Sequence, residues 1–265
     1  MKQGKTIYYH VGLEKTGSTF LQKNVFPQLK GITYIPKKHY KHFLNHSAAY
    51  PSGNYLVTHE QNVNFKKRTT AFREKVEGKV FPVIFLRNQK DWLVSQYKRY
   101  LKNGHTSTIF NFFDPENPDN SQLNADALHF YDKIIHLEKT FGVKPKIVFY
   151  FDFREDAQGV VQDLVDYMNA SVDINQINFS PQHTSYAVRQ LKFYLWLTNK
   201  LNHHPIKRKK WFRYPMLHLA QIVPAAVFSK VDWITDDYLR KIDERYAGDW
   251  TKCLNYTRNQ KEIEV

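Results

Sequence analysis

Hydrophobic residues along this chain fall into two alternating patterns. Short runs dense in β-branched and aromatic residues occur at Thr6–Val11, Ile32–Ile35, Asn54–Thr58, Val80–Leu86 and Lys146–Phe151, lengths that suit single strands. Between them, longer stretches carry apolar residues at helical spacing. They predict helices over Thr16–Leu29, Phe65–Val76, Asp91–Lys102, Asn124–Phe141 and Asp156–Met168, and two more follow at Ser185–Leu201 and Asp236–Tyr246. Strands that alternate with helices are joined by crossovers. The pattern therefore predicts an α/β fold with a central, mainly parallel sheet flanked by helices and a helical C-terminal part. His105–Ser121 is polar and broken by Pro115 and Pro118, so it reads as a loop, either a mobile flap or an ordinary surface excursion. No internal repeat or long flexible linker interrupts the chain.

Composition supports a folded domain and biases its partners. The 265 residues are 42% hydrophobic and 15% aromatic, enough for one sizeable core. Thirty-nine Lys and Arg against 25 Asp and Glu give a formal charge of +14, which draws anions toward the surface. Nucleic acids, anionic lipids, acidic glycans and nucleotides all answer to that field, so charge alone selects none of them. The single cysteine, Cys253, leaves no intramolecular disulfide and no cysteine-rich zinc site. A reducing, cytoplasmic setting is expected, and the N-terminus runs into a strand pattern without a signal-peptide profile. Pro215–Phe228 is apolar, but it is interrupted by His218, Gln221 and Pro224 and falls short of the roughly 20 apolar residues of a membrane span.

Candidate chemistry begins where the first strand ends. Gly12-Leu13-Glu14-Lys15-Thr16-Gly17-Ser18-Thr19 turns the chain from a strand into a helix. There, unpaired backbone amides and the positive helix end favour an anion, and Gly17 permits close approach. Lys15 adds a cation, and Ser18 and Thr19 add hydroxyl donors. A nucleoside triphosphatase loop would place Gly-Lys-Ser or Gly-Lys-Thr here, and that order is absent. A second element follows Val80–Leu86: Arg87 stands at the strand's C-terminal edge, and Ser95 follows eight residues later on the next helix. Between the two elements in sequence, Asn54–Thr58 runs into His59-Glu60, two candidate bases whose side chains point oppositely on an extended chain.

At Lys15-Thr16-Gly17-Ser18-Thr19 and at Arg87 with Ser95, the sequence resembles the sulfotransferases that use 3'-phosphoadenosine 5'-phosphosulfate (PAPS). The resemblance spans about residues 6–170 and implies a nucleotide-kinase-like sulfotransferase architecture. It assigns the 5'-phosphosulfate to Lys15, Thr16, Gly17, Ser18 and Thr19, with Lys15 between the phosphate and the transferring sulfuryl group. Arg87 and Ser95 take the 3'-phosphate. His59 resembles the catalytic histidine of the cytosolic branch, and Glu60 the glutamate of several glycan and tyrosine sulfotransferases. Two departures stand out: Gln89 replaces the usual proline, and Phe151 takes the place of a glutamate in a strand that usually ends Tyr-Glu-Asp-Leu. Gly248-Asp249-Trp250 echoes a short motif of the cytosolic branch, to which no site is assigned.

The expectation is one domain over 1–265, with a donor-binding core over about 6–170 and a helical, acceptor-side or capping region over about 180–265. The implied donor is PAPS, leaving as adenosine 3',5'-bisphosphate, with no metal. The expected acceptor is a hydroxyl or amine on a carbohydrate, such as a surface glycan or its lipid-linked precursor. Lys207–Arg213 pairs cations with Trp211 and Phe212, and peripheral membrane contact through it is a further expectation; nucleic acid is not the favoured partner. His203-His204 reads as a polar helix end. Two competing readings are a nucleotide-dependent kinase and a noncatalytic module for anionic glycan or membrane.

Overall fold

A computed structural model of the chain describes residues 4–60, 64–180, 187–200, 210–219, 222–228 and 233–261. Five strands form one parallel sheet: β1 Lys5–His10, β2 Thr33–Ile35, β3 Gly53–Thr58, β4 Lys79–Leu86 and β5 Lys146–Phe149, in the order β2-β3-β1-β4-β5. The chain first moves outward from β1 to β2, returns to β3, and then crosses β1 to reach β4. Such a reversal leaves a crevice at the C-terminal strand ends, where open α/β sheets bind ligands. Pro82 pairs opposite Tyr9 but precedes the stretch of β4 that is paired to β5. Its missing N–H thus falls where β4 is still an edge.

The helices are α1 Ser18–Phe20, α2 Tyr40–Asn45, α3 Phe65–Lys75, α4 Gln89–Lys102, α5 Ile109–Phe112, α6 Phe130–Phe141, α7 Tyr150–Glu155, α8 Ala157–Tyr167, α9 Val188–Lys200, α10 Lys210–Leu219 and α11 Asp236–Lys261. Contacts divide the chain into two units. The sheet unit comprises Met1–Asn88, His129–Gln182 and Gly248–Val265; the helical unit comprises Gln89–Leu128 and His183–Ala247.

In the sheet unit, alternation along β1 feeds two cores. Tyr8 joins Leu21, Val25, Phe85, Val148 and Leu164 on one face. Tyr9 points to the other, where its ring stacks on Phe72 at 3.8 Å and its hydroxyl meets that of Tyr40 at 3.5 Å. An aromatic pair of this kind adds about 0.5–1.5 kcal/mol beyond the area it buries. At the N-terminus of α6, both carboxylate oxygens of Asp249 are used. One accepts from the Phe130 amide at 3.0 Å and the other from the Tyr131 amide at 3.2 Å. Asp249 is therefore a remote helix cap, and Trp250 packs edge-on against Phe149. In the helical unit, Tyr238 is fully buried and donates to the Phe113 carbonyl at 2.8 Å.

Several expected elements differ. The helix expected over Thr16–Leu29 is three short pieces: α1, a wide π-type turn Leu21–Val25 and a 3-10 turn Phe26–Gln28 with Pro27 inside it. Widening the turn brings both Val25 and Phe26 inward with Leu21, which a regular helix would not do. The last strand stops at Phe149, and Tyr150 opens α7, so Phe151 is a half-exposed helical residue rather than a strand end. Asn124–Phe141 is interrupted at His129. His105–Ser121 is not structureless: Thr108 caps α5 by accepting from the Asn111 amide, and Ile109, Phe112 and Phe113 are buried. The final helix continues to Lys261. His203, His204 and residues 207–209 lie outside the described residues.

Candidate functional site

β1 ends at His10, and two backbone bonds fix the root of the loop that follows. Val11 N donates to Val83 O and His59 N donates to His10 O, each at 3.0 Å, so the chain ends of β1, β3 and β4 are held side by side. Beneath the loop, His10 is wholly buried between Phe26 and Phe85, and neither ring nitrogen has a hydrogen-bond partner among the described residues. Burial pushes its pKa down to about 4, so the ring is neutral near pH 7. A Cβ on Gly12 would lie 2.8 Å from His10 Nε2, which is why glycine is needed there.

Above this floor the loop turns twice through left-handed backbone, at Lys15 (φ 72°) and Gly17 (φ 91°). For lysine that conformation costs roughly 1–2 kcal/mol, strain of a kind that gathers at ligand sites. Thr16 is fully buried, and its hydroxyl donates to Leu13 O at 2.6 Å. Its side chain thus braces the loop from inside. A Cβ on Gly17 would sit 3.3 Å from the Tyr150 ring, tighter than ordinary packing, and in plain contact with Phe153 at 3.5 Å. Ser18 is buried and Thr19 is exposed.

Arg87 directly follows β4. Its guanidinium lies over the Tyr150 ring, 4.7 Å from the centroid, and its buried Nε has no hydrogen-bond partner among the described residues. A cation on an aromatic face keeps its charge while its in-plane N–H groups stay aimed elsewhere. Tyr150 therefore touches both the Gly17 turn and Arg87. The strand pattern over Lys146–Phe151 gives Tyr150 no such role; the start of α7 puts its ring at the sheet edge. Ser95 lies in the second turn of α4, in the helical unit.

His59 and Glu60 have separate surroundings, as the alternation predicts. The His59 ring stacks on Tyr40 at 4.0 Å. Burial, then the charges of Lys37, Arg68 and Lys41, press its pKa down to about 4. Glu60 faces the loop instead: one carboxylate oxygen accepts the Ser18 hydroxyl, and the other lies 3.7 Å from Lys37 Nζ. Lys37 also lies 3.9 Å from Glu14. Sequence reasoning missed Lys37, yet a signal exists: it follows β2, and every strand of a parallel sheet ends at the same edge. Among the described residues, no group of three or more His, Cys, Asp or Glu is placed to hold a metal ion.

The chain shares its architecture with solved structures. A sulfotransferase from Alicyclobacillus acidocaldarius superposes with a TM-score of 0.51 at 13% identity, covering 83% of this chain and 97% of that one. The fold is that of the sulfotransferases. A mouse sulfotransferase complexed with PAP aligns over 100% of this chain and 90% of its own, at 13% identity and a TM-score of 0.48. No protein-family profile and no curated protein matches the sequence.

Proposed function

We propose that this protein transfers the sulfuryl group of PAPS to a hydroxyl or amine, on a carbohydrate acceptor. The observation that carries the reading is the pairing of two cationic elements at the ends of neighbouring parallel strands: the Lys15–Gly17 turn after β1 and Arg87 after β4, joined through Tyr150. Residues 15 to 19 suit a 5'-phosphosulfate. Lys15 provides a cation on a left-handed turn, Gly17 a backbone without side-chain obstruction, Thr19 an exposed hydroxyl and Ser18 a backbone amide at the helix start, its own hydroxyl being given to Glu60. Arg87 has a buried, unsatisfied Nε, so a second phosphate there would satisfy a donor that is otherwise costly to bury. Ser95 is proposed as a further donor to that phosphate on sequence spacing alone.

PAPS supplies an electrophilic sulfur and a bisphosphate leaving group. Lys15 would neutralise charge as it develops on the bridging oxygen, an effect confined to the transition state and therefore productive for rate. Glu60 is the proposed base. It is oriented by Ser18, the residue that opens the helix of the donor loop, and Lys37 Nζ stands 3.7 Å from its second oxygen. His59, neutral and stacked on Tyr40, is proposed to support the Glu60 segment from the other side. The carbohydrate acceptor rests on the positive surface and the 5 Trp and 17 Tyr of the chain, side chains that stack on sugar rings.

Two experiments test this reading. In calorimetry, adenosine 3',5'-bisphosphate should bind and ATP with magnesium should bind far more weakly; no bisphosphate binding refutes the donor assignment. With labelled PAPS and a responding acceptor from a glycan, lipid and phenol screen, Glu60→Gln should lower kcat by about a hundredfold or more while bisphosphate affinity holds. His59→Ala should cost less. Full turnover in both variants removes this pair from the chemistry.

A further inference from the structure

The strongest unused feature lies in the helical unit, far along the chain from the donor loop. Between His183 and Val231 there is no Asp or Glu, against six lysines and three arginines, so nine of the chain's +14 charges arise in this one stretch. Within it, α10 packs on α9, and Val223, just after α10, joins Phe193, Trp196 and Leu197 of α9. Arg189 donates to the Val223 carbonyl at 2.7 Å, which fastens the end of the segment.

Among the described side chains of α10, exposure falls mainly on apolar residues, with His218 the polar exception. Trp211, Pro215 and Leu219 are exposed and spaced four residues apart, which sets them along one side of α10. Trp211 is 68% exposed, and Ile222, in the following turn, is 77% exposed. Seven large hydrophobic residues are exposed among the described residues, and four of them fall between Trp211 and Val227. Single exposed apolar residues are ordinary; a run of them beside a cationic stretch marks a docking surface.

We infer that the α10 segment is a docking surface for an anionic lipid bilayer, with Trp211, Leu219 and Ile222 entering the headgroup and acyl boundary while neighbouring cations meet the headgroups. The chemistry selects this partner over other polyanions. Glycans and nucleic acids offer faces to aromatic rings and charges to lysines, but neither rewards removing Leu219 and Ile222 from water. A bilayer interface does both: tryptophan settles at headgroup level, aliphatic side chains enter below it, and each nearby Lys or Arg adds attraction. α10 has ten residues and lies in the interface, and no helix among the described residues is long and apolar enough to cross a membrane. The inference is independent of the donor reading.

The test is sedimentation of the full chain with vesicles of phosphatidylcholine alone, and of phosphatidylcholine with about one third phosphatidylserine. The protein should pellet with the anionic vesicles and not with the neutral ones, and added salt should weaken pelleting. The double variant Trp211→Ser with Ile222→Ser should partition at least about tenfold less, because two large apolar side chains leave the interface. The triple variant Lys207→Glu, Lys209→Glu and Lys210→Glu should no longer pellet. Far-UV circular dichroism checks folding, and Ile222→Gln carries the same test if the double variant loses helicity. Failure to pellet with anionic vesicles overturns the inference. So does undiminished pelleting of the apolar variants, or capture by heparin beads that is stronger than by vesicles and indifferent to those variants, since either result reduces the surface to charge alone.

Discussion

Two regions of this protein are proposed to meet anions, and they are built differently. At the edge of the sheet unit, recognition is geometric: left-handed backbone at Lys15 and Gly17, a buried brace at Thr16, and Arg87 held over a tyrosine ring. Along residues 183–231, attraction would come from field and exposure: nine cations in the sequence without an acid, and apolar side chains turned to solvent among the described residues. The first arrangement suits one small ligand in one orientation and tolerates little change. The second suits an extended surface and should respond to salt and to total charge more than to any one residue.

The sharpest way to separate the two is to remove one cation from the sheet edge. Lys15→Ala should lower kcat/KM by about a hundredfold to a thousandfold while vesicle pelleting is unchanged. If turnover survives, the loop is a passive anion cradle like the α10 surface, and the contrast collapses.

Acid should also divide the regions. His10, pressed down to about 4 from an unfolded value of 6.5, binds no proton in the folded state while the unfolded chain takes one up below 6.5. Stability therefore falls as pH drops from 6.5 toward 4, by up to about 3 kcal/mol from this group. Replacing it, as in His10→Leu, should flatten that part of the stability–pH profile measured by urea unfolding. A profile that keeps its slope would place the acid sensitivity elsewhere.

The smallest expected effect separates the sheet edge from its scaffold. Asp249→Ala frees two amides at the start of α6 and should cost about 1–2 kcal/mol in urea unfolding, with unchanged affinity for adenosine 3',5'-bisphosphate. A large loss of affinity instead would show that this helix end reaches the site.

Much of the fold was legible because its signals are local. Every strand expected from β-branched and aromatic runs is present within two residues at either end, and the long helices α3, α4, α8 and α9 follow their apolar periodicity. The loop at Lys15–Thr19, the strand-end position of Arg87 and the divergent surroundings of His59 and Glu60 also followed from short patterns. The failures are equally specific. Nothing near Leu21–Val25 announces a widened turn, which accompanies the burial of Leu21, Val25 and Phe26 in one core assembled from distant strands and helices. The cap of α6 lies over a hundred residues away in sequence, at Asp249, and no local motif could reveal it.

The strand order and the partners drawn together by it mark the boundary. Local residue types were sufficient to specify alternating strands and helices, a glycine-dependent turn after the first strand and a cationic late segment, since each depends on neighbours within one or two turns of chain. Only the folded sheet, with β1 between β3 and β4, could bring Ser18 to Glu60, Lys37 to both Glu60 and Glu14, and Tyr150 to both Gly17 and Arg87. Those pairings join residues tens of positions apart. Their geometry is set by crossover connections and shared burial, which a linear pattern does not encode.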